Sequence, residues 1–148
     1  MKAITFNLKA IVVCVIMVMT GACTSAYAEG TENYVANQVG NTRVVYSKDA
    51  SGMYLTPKFK YVYTNPAANT EVKTALSWNE NNDSWLPAYE ITTVTNTGAK
   101  TMTYANWNGL AQGYVTSERM IYQFDANNNL TSCQTMQWNN SAKTWIVK

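Results

Sequence analysis

The sequence predicts an all-β fold, an antiparallel meander of about eight strands built from four repeated aromatic hairpins. Three observations carry that expectation. Beyond residue 28 the chain is rich in Asn, Thr, Tyr and Trp and has no apolar pattern at helical spacing longer than a turn. Thr, Tyr, Trp and Val suit the pleated, half-buried surface of a strand, and Asn suits turns. The dipeptide Trp-Asn occurs at 78–79, 107–108 and 138–139, and a second large aromatic follows each Trp seven residues later, at Trp85, Tyr114 and Trp145. Breaker clusters separate the copies: Asn65-Pro66 with Asn69, then Asn96-Thr97-Gly98, then Asp125 to Asn129.

The chain opens with Lys2 and Lys9 ahead of an apolar stretch from Ile11 to about Met19, too short to span a bilayer. Small residues and Ala26-Tyr27-Ala28 follow, the small-x-small pattern of a signal-peptidase site, so residues 1–28 are expected to be a signal peptide. A second processing reading stays open. Met19-Thr20-Gly21-Ala22-Cys23 resembles a lipobox, with Cys23 as the lipidated residue and Thr20 where that motif usually has Leu. Either way the protein is expected to be exported to the periplasm, the cell surface or the medium, or anchored there as a lipoprotein.

Residues 29–41 read as a lead-in and 42–148 as a single repeat domain. Within it the spacing of seven places residues 78 and 85 opposite each other in an antiparallel hairpin with an even loop, for instance Asn81-Asn82 as a two-residue turn. The tryptophans then form a cross-strand pair, as do Trp107 with Tyr114 and Trp138 with Trp145. A degenerate first copy runs from Tyr46 to Tyr54, where a spacing of eight demands an odd loop and Gly52 supplies a positive φ. The expected strands are 42–47, 54–63, 70–78, 85–95, 100–107, 113–124, 129–138 and 144–148.

Alternation along these strands assigns one apolar side to Phe59, Tyr61 and Tyr63, to Val72, Leu76 and Trp78, to Trp85, Pro87, Tyr89 and Ile91, and to Met120, Tyr122 and Phe124. Lys58, Lys60, Lys73, Ser77, Glu90, Arg119, Thr131, Thr135 and Gln137 fall on the other, wetter side, and Cys133 alternates onto it with Thr131 and Thr135. Glu118 breaks the pattern, which calls either for a bulge beside it or for exposure beyond the edge of the core. A sheet with one apolar face must cover it, as a curled sheet or barrel or, alternatively, as a two-layer sandwich.

Charge and chemistry exclude several functions. Without residues 1–28, nine basic residues face nine acidic ones and no basic cluster is present, so the chain has no electrostatic footprint for nucleic acid. It contains no histidine, which rules out Ser-His-Asp triads and His-bearing zinc sites. No paired carboxylates replace them, and Glu80 and Asp83 in one short turn fall short of a calcium cage. No cofactor, metal or enzymatic activity is therefore expected. Beyond the signal region Cys133 is the only cysteine, so it has no internal disulfide partner; with no Lys or Arg beside it in sequence it is expected to be unreactive.

Trp78, Trp85, Trp138 and Trp145 are expected to be packed as core. Trp107 lies in the most polar surroundings, Tyr104-Ala105-Asn106-Trp107-Asn108-Gly109, so Trp107 with Tyr104, Asn106 and Asn108 forms the candidate ligand contact, a shallow glycan site. The expected function is a binding or adhesion module for a polysaccharide or an envelope protein. The alternative is a structural component that self-associates.

Two resemblances bear on this. Tyr122-Gln123-Phe124-Asp125-Ala126-Asn127-Asn128-Asn129-Leu130 resembles one tyrosine-aspartate repeat of large secreted bacterial proteins, with Asn128 or Asn129 where that repeat usually has Gly. The small size, the signal segment and the Trp-Asn repeats at 78, 107 and 138 resemble the small exported proteins of gut Bacteroidales grouped as domain of unknown function 3836. That resemblance implies an exported β protein and carries no catalytic residues.

Overall fold

The computed structural model describes residues 33–148; the signal segment with Cys23, Ala26 and Ala28 lies outside the described residues. Nine strands follow one another in the chain: β1 (Tyr34–Val39), β2 (Thr42–Lys48), β3 (Leu55–Ala67), β4 (Thr70–Asn79), β5 (Ser84–Asn96), β6 (Ala99–Asn108), β7 (Gly113–Phe124), β8 (Leu130–Asn139) and β9 (Thr144–Val147). They form one antiparallel sheet in strict sequence order, and the described residues include no helix. β1 and β9 do not pair, so the sheet is open. It is neither the barrel nor the two-layer sandwich that the sequence left available.

Two elements differ from expectation. β1 occupies part of the expected lead-in, because Val35 lies opposite Tyr46 and Val39 opposite Thr42, closing a two-residue turn at Gly40-Asn41 in which Gly40 has φ +58°. Asn65-Pro66 does not end β3. The strand carries both residues through as an irregularity between Thr64 and Ala67, and the turn is Ala68-Asn69. Pro is tolerated there because an irregularity releases it from the ladder hydrogen bond it cannot donate.

The register shows why simple alternation misassigned the two faces. Ala75 pairs with Tyr89 but Leu76 pairs with Pro87, leaving Ala88 as an extra residue. Tyr104 pairs with Glu118 but Ala105 with Thr116, which makes Ser117 the extra residue. Val45 pairs with Phe59 but Tyr46 with Pro57, and there the extra residue is Lys58. Each is a β-bulge, and crossing one exchanges the side on which odd-numbered residues lie. Trp85 and Pro87 therefore face one way and Tyr89 and Ile91 the other.

One side of the sheet carries Tyr61, Tyr63, Ala75, Tyr89, Ile91, Thr93, Met102, Tyr104, Glu118, Met120 and Tyr122, linked by their cross-strand pairing. This is the core face: Ala75, Tyr89, Ile91, Thr93, Met102, Glu118 and Tyr122 are all buried. On β4 the core face carries Lys73, Ala75 and Ser77, so Val72, Leu76 and Trp78 point to the opposite side, contrary to expectation. Lys73 fits there by laying its ammonium 4.0 Å from the centre of the Tyr61 ring. On β8 Thr135 lies opposite Met120 and Cys133 opposite Tyr122, so both belong to the core face rather than the wetter one. Thr131 is the extra residue of a further bulge near the start of β8.

Candidate binding groove at the hairpin tips

The Trp-Asn motif builds a turn. Trp78 lies opposite Trp85, Trp107 opposite Tyr114 and Trp138 opposite Trp145, as their spacing requires. The rings meet edge to face, with centroids 5.0, 5.1 and 5.3 Å apart and interplanar angles of 65°, 69° and 66°. This is the geometry favoured by the aromatic quadrupole. The loop that follows holds four residues, not the two proposed for Asn81-Asn82, and the Asn of the motif closes it. Asn79 Oδ1 accepts from the Asn81 N–H at 3.0 Å, Asn108 Oδ1 from Leu110 and Ala111 at 2.9 and 3.0 Å, and Asn139 Oδ1 from Ser141 and Ala142 at 3.0 Å each. The fifth residue after each Trp, Asp83, Gln112 or Lys143, takes a positive φ of 47° to 51° to bring the chain back.

Every one of these tryptophans is half-buried and lies on the face opposite the core. The expectation of core packing for Trp78, Trp85, Trp138 and Trp145 is thus corrected: they pack within their own hairpins. The first copy departs further. Tyr46 lies opposite Pro57 and not Tyr54, which is exposed in the six-residue loop between β2 and β3. There Asp49 replaces the Asn of the motif. Its carboxylate accepts from Ser51 Oγ at 2.6 Å and from the N–H groups of Met53 and Tyr54 at 3.0 and 3.1 Å. These bonds, the Ser51 hydroxyl first, hold the Asp49 carboxyl below its ordinary pKa. Gly52 takes the expected positive φ, at +71°.

The bulges mark where neighbouring hairpins separate. Pairing between β7 and β8 stops at Glu118 and Gln137, pairing between β5 and β6 at Tyr89 and Asn106, and pairing between β3 and β4 at Phe59 and Ser77. Beyond those points each hairpin continues as a two-stranded tip. A groove of about 600 Å³ opens between the tips of β6–β7 and β8–β9, lined by Trp107, Trp138, Asn106, Ser117, Gln137 and Asn140 among others. No ionisable side chain lines it.

The structure thus brings Trp107, Asn106 and Asn108 together at the groove but leaves Tyr104 out. Tyr104 lies on the core face, its ring 5.2 Å from that of Tyr89, directly opposite Glu118. Asn108 contributes less than expected, because its carboxamide oxygen is engaged in the turn. Asn106 Nδ2 donates to Ser117 Oγ at 3.2 Å, and that hydroxyl donates to the Tyr104 carbonyl at 3.4 Å, which ties the groove wall to the bulge. Trp138, Gln137 and Asn140 were missed as groove residues. The available signal was that Trp138 is the repeat equivalent of Trp107.

Ionisable groups cluster elsewhere. Glu118 is buried, 8% exposed, on the core face beside the Ser117 bulge, which resolves the choice left by the sequence. It accepts from Lys148 Nζ at 2.9 Å. Burial raises the Tyr89 hydroxyl well above its ordinary pKa, reinforced by Tyr61, and burial with the nearby Glu118 charge raises Tyr104. Glu80 pairs with Lys58 at 2.7 Å across neighbouring hairpins, a solvent-exposed contact worth little. Asp125 closes the turn before β8, accepting from the Asn127 and Asn129 backbone at 2.9 and 2.8 Å and from Asn129 Nδ2 at 3.0 Å. Asn128 takes the positive φ, 64°, expected of the usual Gly. Cys133 is exposed.

An open single sheet of aromatic hairpins, with its tips splayed and its core on one face, defines a hairpin-repeat protein. The chain matches the family of unknown function DUF3836 over residues 1–122, and it belongs to that family. A crystal structure of a protein of unknown function from Bacteroides fragilis is similar with a TM-score of 0.72 at 22% identity, over 78% of this chain and 88% of that one. A DUF3836 family protein from Parabacteroides distasonis gives 0.51 at 20% identity, over 61% and 87% of the two chains. These likenesses establish the fold. No curated protein matches the chain.

Proposed function

We propose that the protein is an exported, non-enzymatic module that binds glycan at the groove between its last two hairpin tips. The observation that carries this reading is the composition of the groove: two half-buried tryptophans from successive hairpins, with amides, hydroxyls and the apolar Leu110 and Val115 around them, and no charge. Indole rings stack on the apolar faces of pyranose rings, and carboxamides and hydroxyls hydrogen-bond their hydroxyl groups. A glycan array tests it. The parent protein is expected to give hits that Trp107→Ala loses while keeping the parent's circular dichroism. Unchanged hits in the variant would sink the site.

Export enters the proposal from residues 1–28. Mass spectrometry of the protein recovered from cells is expected to find a chain starting at Glu29; a diacylated or triacylated Cys23 would replace that with lipoprotein anchoring.

A second reading, self-association as a structural component, is favoured by one feature. Among the described residues, β1 and the stretch of β8 from Leu130 to Gln134 have no strand on their outer side, and neither segment carries the Lys or Pro that commonly guards an edge. Size-exclusion with light scattering parts the two readings: a monomer disfavours assembly, and a concentration-dependent oligomer supports it.

A further inference from the structure

The groove is one of a series. The pairs Trp78/Trp85, Trp107/Tyr114 and Trp138/Trp145 occupy the same position in successive hairpins, at the same end of the sheet and on the same face. Each hairpin contributes two strands, so the pairs recur about every 9–10 Å across the sheet, and somewhat more where the tips splay. An extended pyranose chain advances by close to that distance for every two sugars, and then presents the same ring face again. Trp107 and Trp138, consecutive members of the row, already face one shared space. The separation that creates this space recurs between β5 and β6, next to Trp85 and Trp107, and between β3 and β4, next to Trp78. In the last pair, Arg119 lies 4.1 Å from the centre of the Trp145 ring and covers it, which leaves Trp138 as the stacking member there.

We infer that the ligand is a neutral, extended polysaccharide lying across the hairpin tips, perpendicular to the strands, with every second sugar stacked on a successive tryptophan pair. The inference rests on the glycan-binding reading and extends it from one groove to the whole row. Neutrality follows at the groove from its uncharged lining, and at the Trp78 tip from the mutual pairing of Lys58 and Glu80. The extended shape follows from the strict order of the three hairpins across one open sheet, which places the pairs one after another and never around a closed ring; a helical glucan such as amylose turns away from such a row.

Calorimetric titration with β-1,4-linked gluco- and manno-oligosaccharides of increasing length, from disaccharide to octasaccharide, tests it on the full protein. Affinity is expected to rise by about tenfold or more between the disaccharide and the hexasaccharide, because each added contact is made by a ligand already held. Trp78→Ala, distant from the 600 Å³ groove, is expected to weaken the hexasaccharide by a larger factor than the disaccharide. Asn79→Ala loosens the same turn without removing the ring and is expected to retain the length dependence, which separates a lost contact from a damaged tip. Affinity that levels off at the disaccharide and ignores Trp78→Ala would overturn the row and leave the single groove standing. No binding by the parent at any length, together with an array free of hits, would overturn both.

Discussion

In the continuous part of the sheet, each of the seven inner strands is paired on both sides and side chains such as Tyr89, Ile91 and Met102 are buried among neighbours from several strands. At the tips, a strand has a partner only within its own hairpin. A two-stranded hairpin is marginal by itself in water, so the tips must supply local order through means the body of the sheet does not need. They do so with an aromatic pair, an Asn that accepts the turn's N–H groups, and one residue held at positive φ. The bulges on the return strands β3, β5 and β7 divide the two regimes. It also lets one strand show the core a tyrosine and the opposite face a tryptophan.

Substitutions should therefore have different reach in the two regions. Tyr89→Ala removes a ring that is only 8% exposed, and urea unfolding is expected to show a loss of about 3–5 kcal/mol with the whole sheet affected. Trp78→Ala should cost less and act locally. Hydrogen exchange is expected to quicken for residues 79–86 while amides near Ile91 keep their protection, and a double-mutant cycle between Trp78 and Trp85 should give a coupling of about 0.5–1.5 kcal/mol. Quickened exchange around Ile91 in Trp78→Ala would erase the distinction between tip and body.

The smallest effect is expected from acid. The Asn129 side chain and backbone hold the exposed Asp125 carboxyl below its ordinary pKa, and Ser51 with the Tyr54 N–H does the same for Asp49. For a carboxyl depressed in the folded state, the contribution to stability is complete above the unfolded-state pKa and is lost as pH falls through the folded one. Tm is therefore expected to decline as pH drops through the aspartate range, with a shallower slope in Asp125→Asn. An unchanged slope would show that this turn contributes nothing to acid sensitivity.

The features readable in the sequence were those set by spacing. A step of seven from one aromatic to the next fixes an even loop and a cross-strand pair, and all three Trp-Asn pairs form. Those that escaped depend on a single inserted residue with no distinctive chemistry. Ala88 and Ser117 look like ordinary strand residues, so alternation carried the side of Trp85 through to Ile91 and misplaced Val72, Cys133 and Thr135. Glu118 gave the one warning, since a carboxylate in an apolar row required an explanation, and the bulge beside it is that explanation. In the groove, Asn108 looked like a ligand contact because its role as a turn acceptor is invisible until the four-residue loop is known. β1 escaped because it has no Trp-Asn motif and its pairing with β2 is set by a short turn alone.

The extensive packing in this sheet is between strands adjacent in the chain, so the fold behaves as a one-dimensional array. In such an array, stability is close to a sum of unit and neighbour terms, and no closing contact fixes the number of units. Duplication or loss of a complete hairpin therefore leaves every remaining interface of the same kind. The length of the aromatic row is thereby a quantity that gene duplication can change in whole steps, each two strands wide, without redesigning the core.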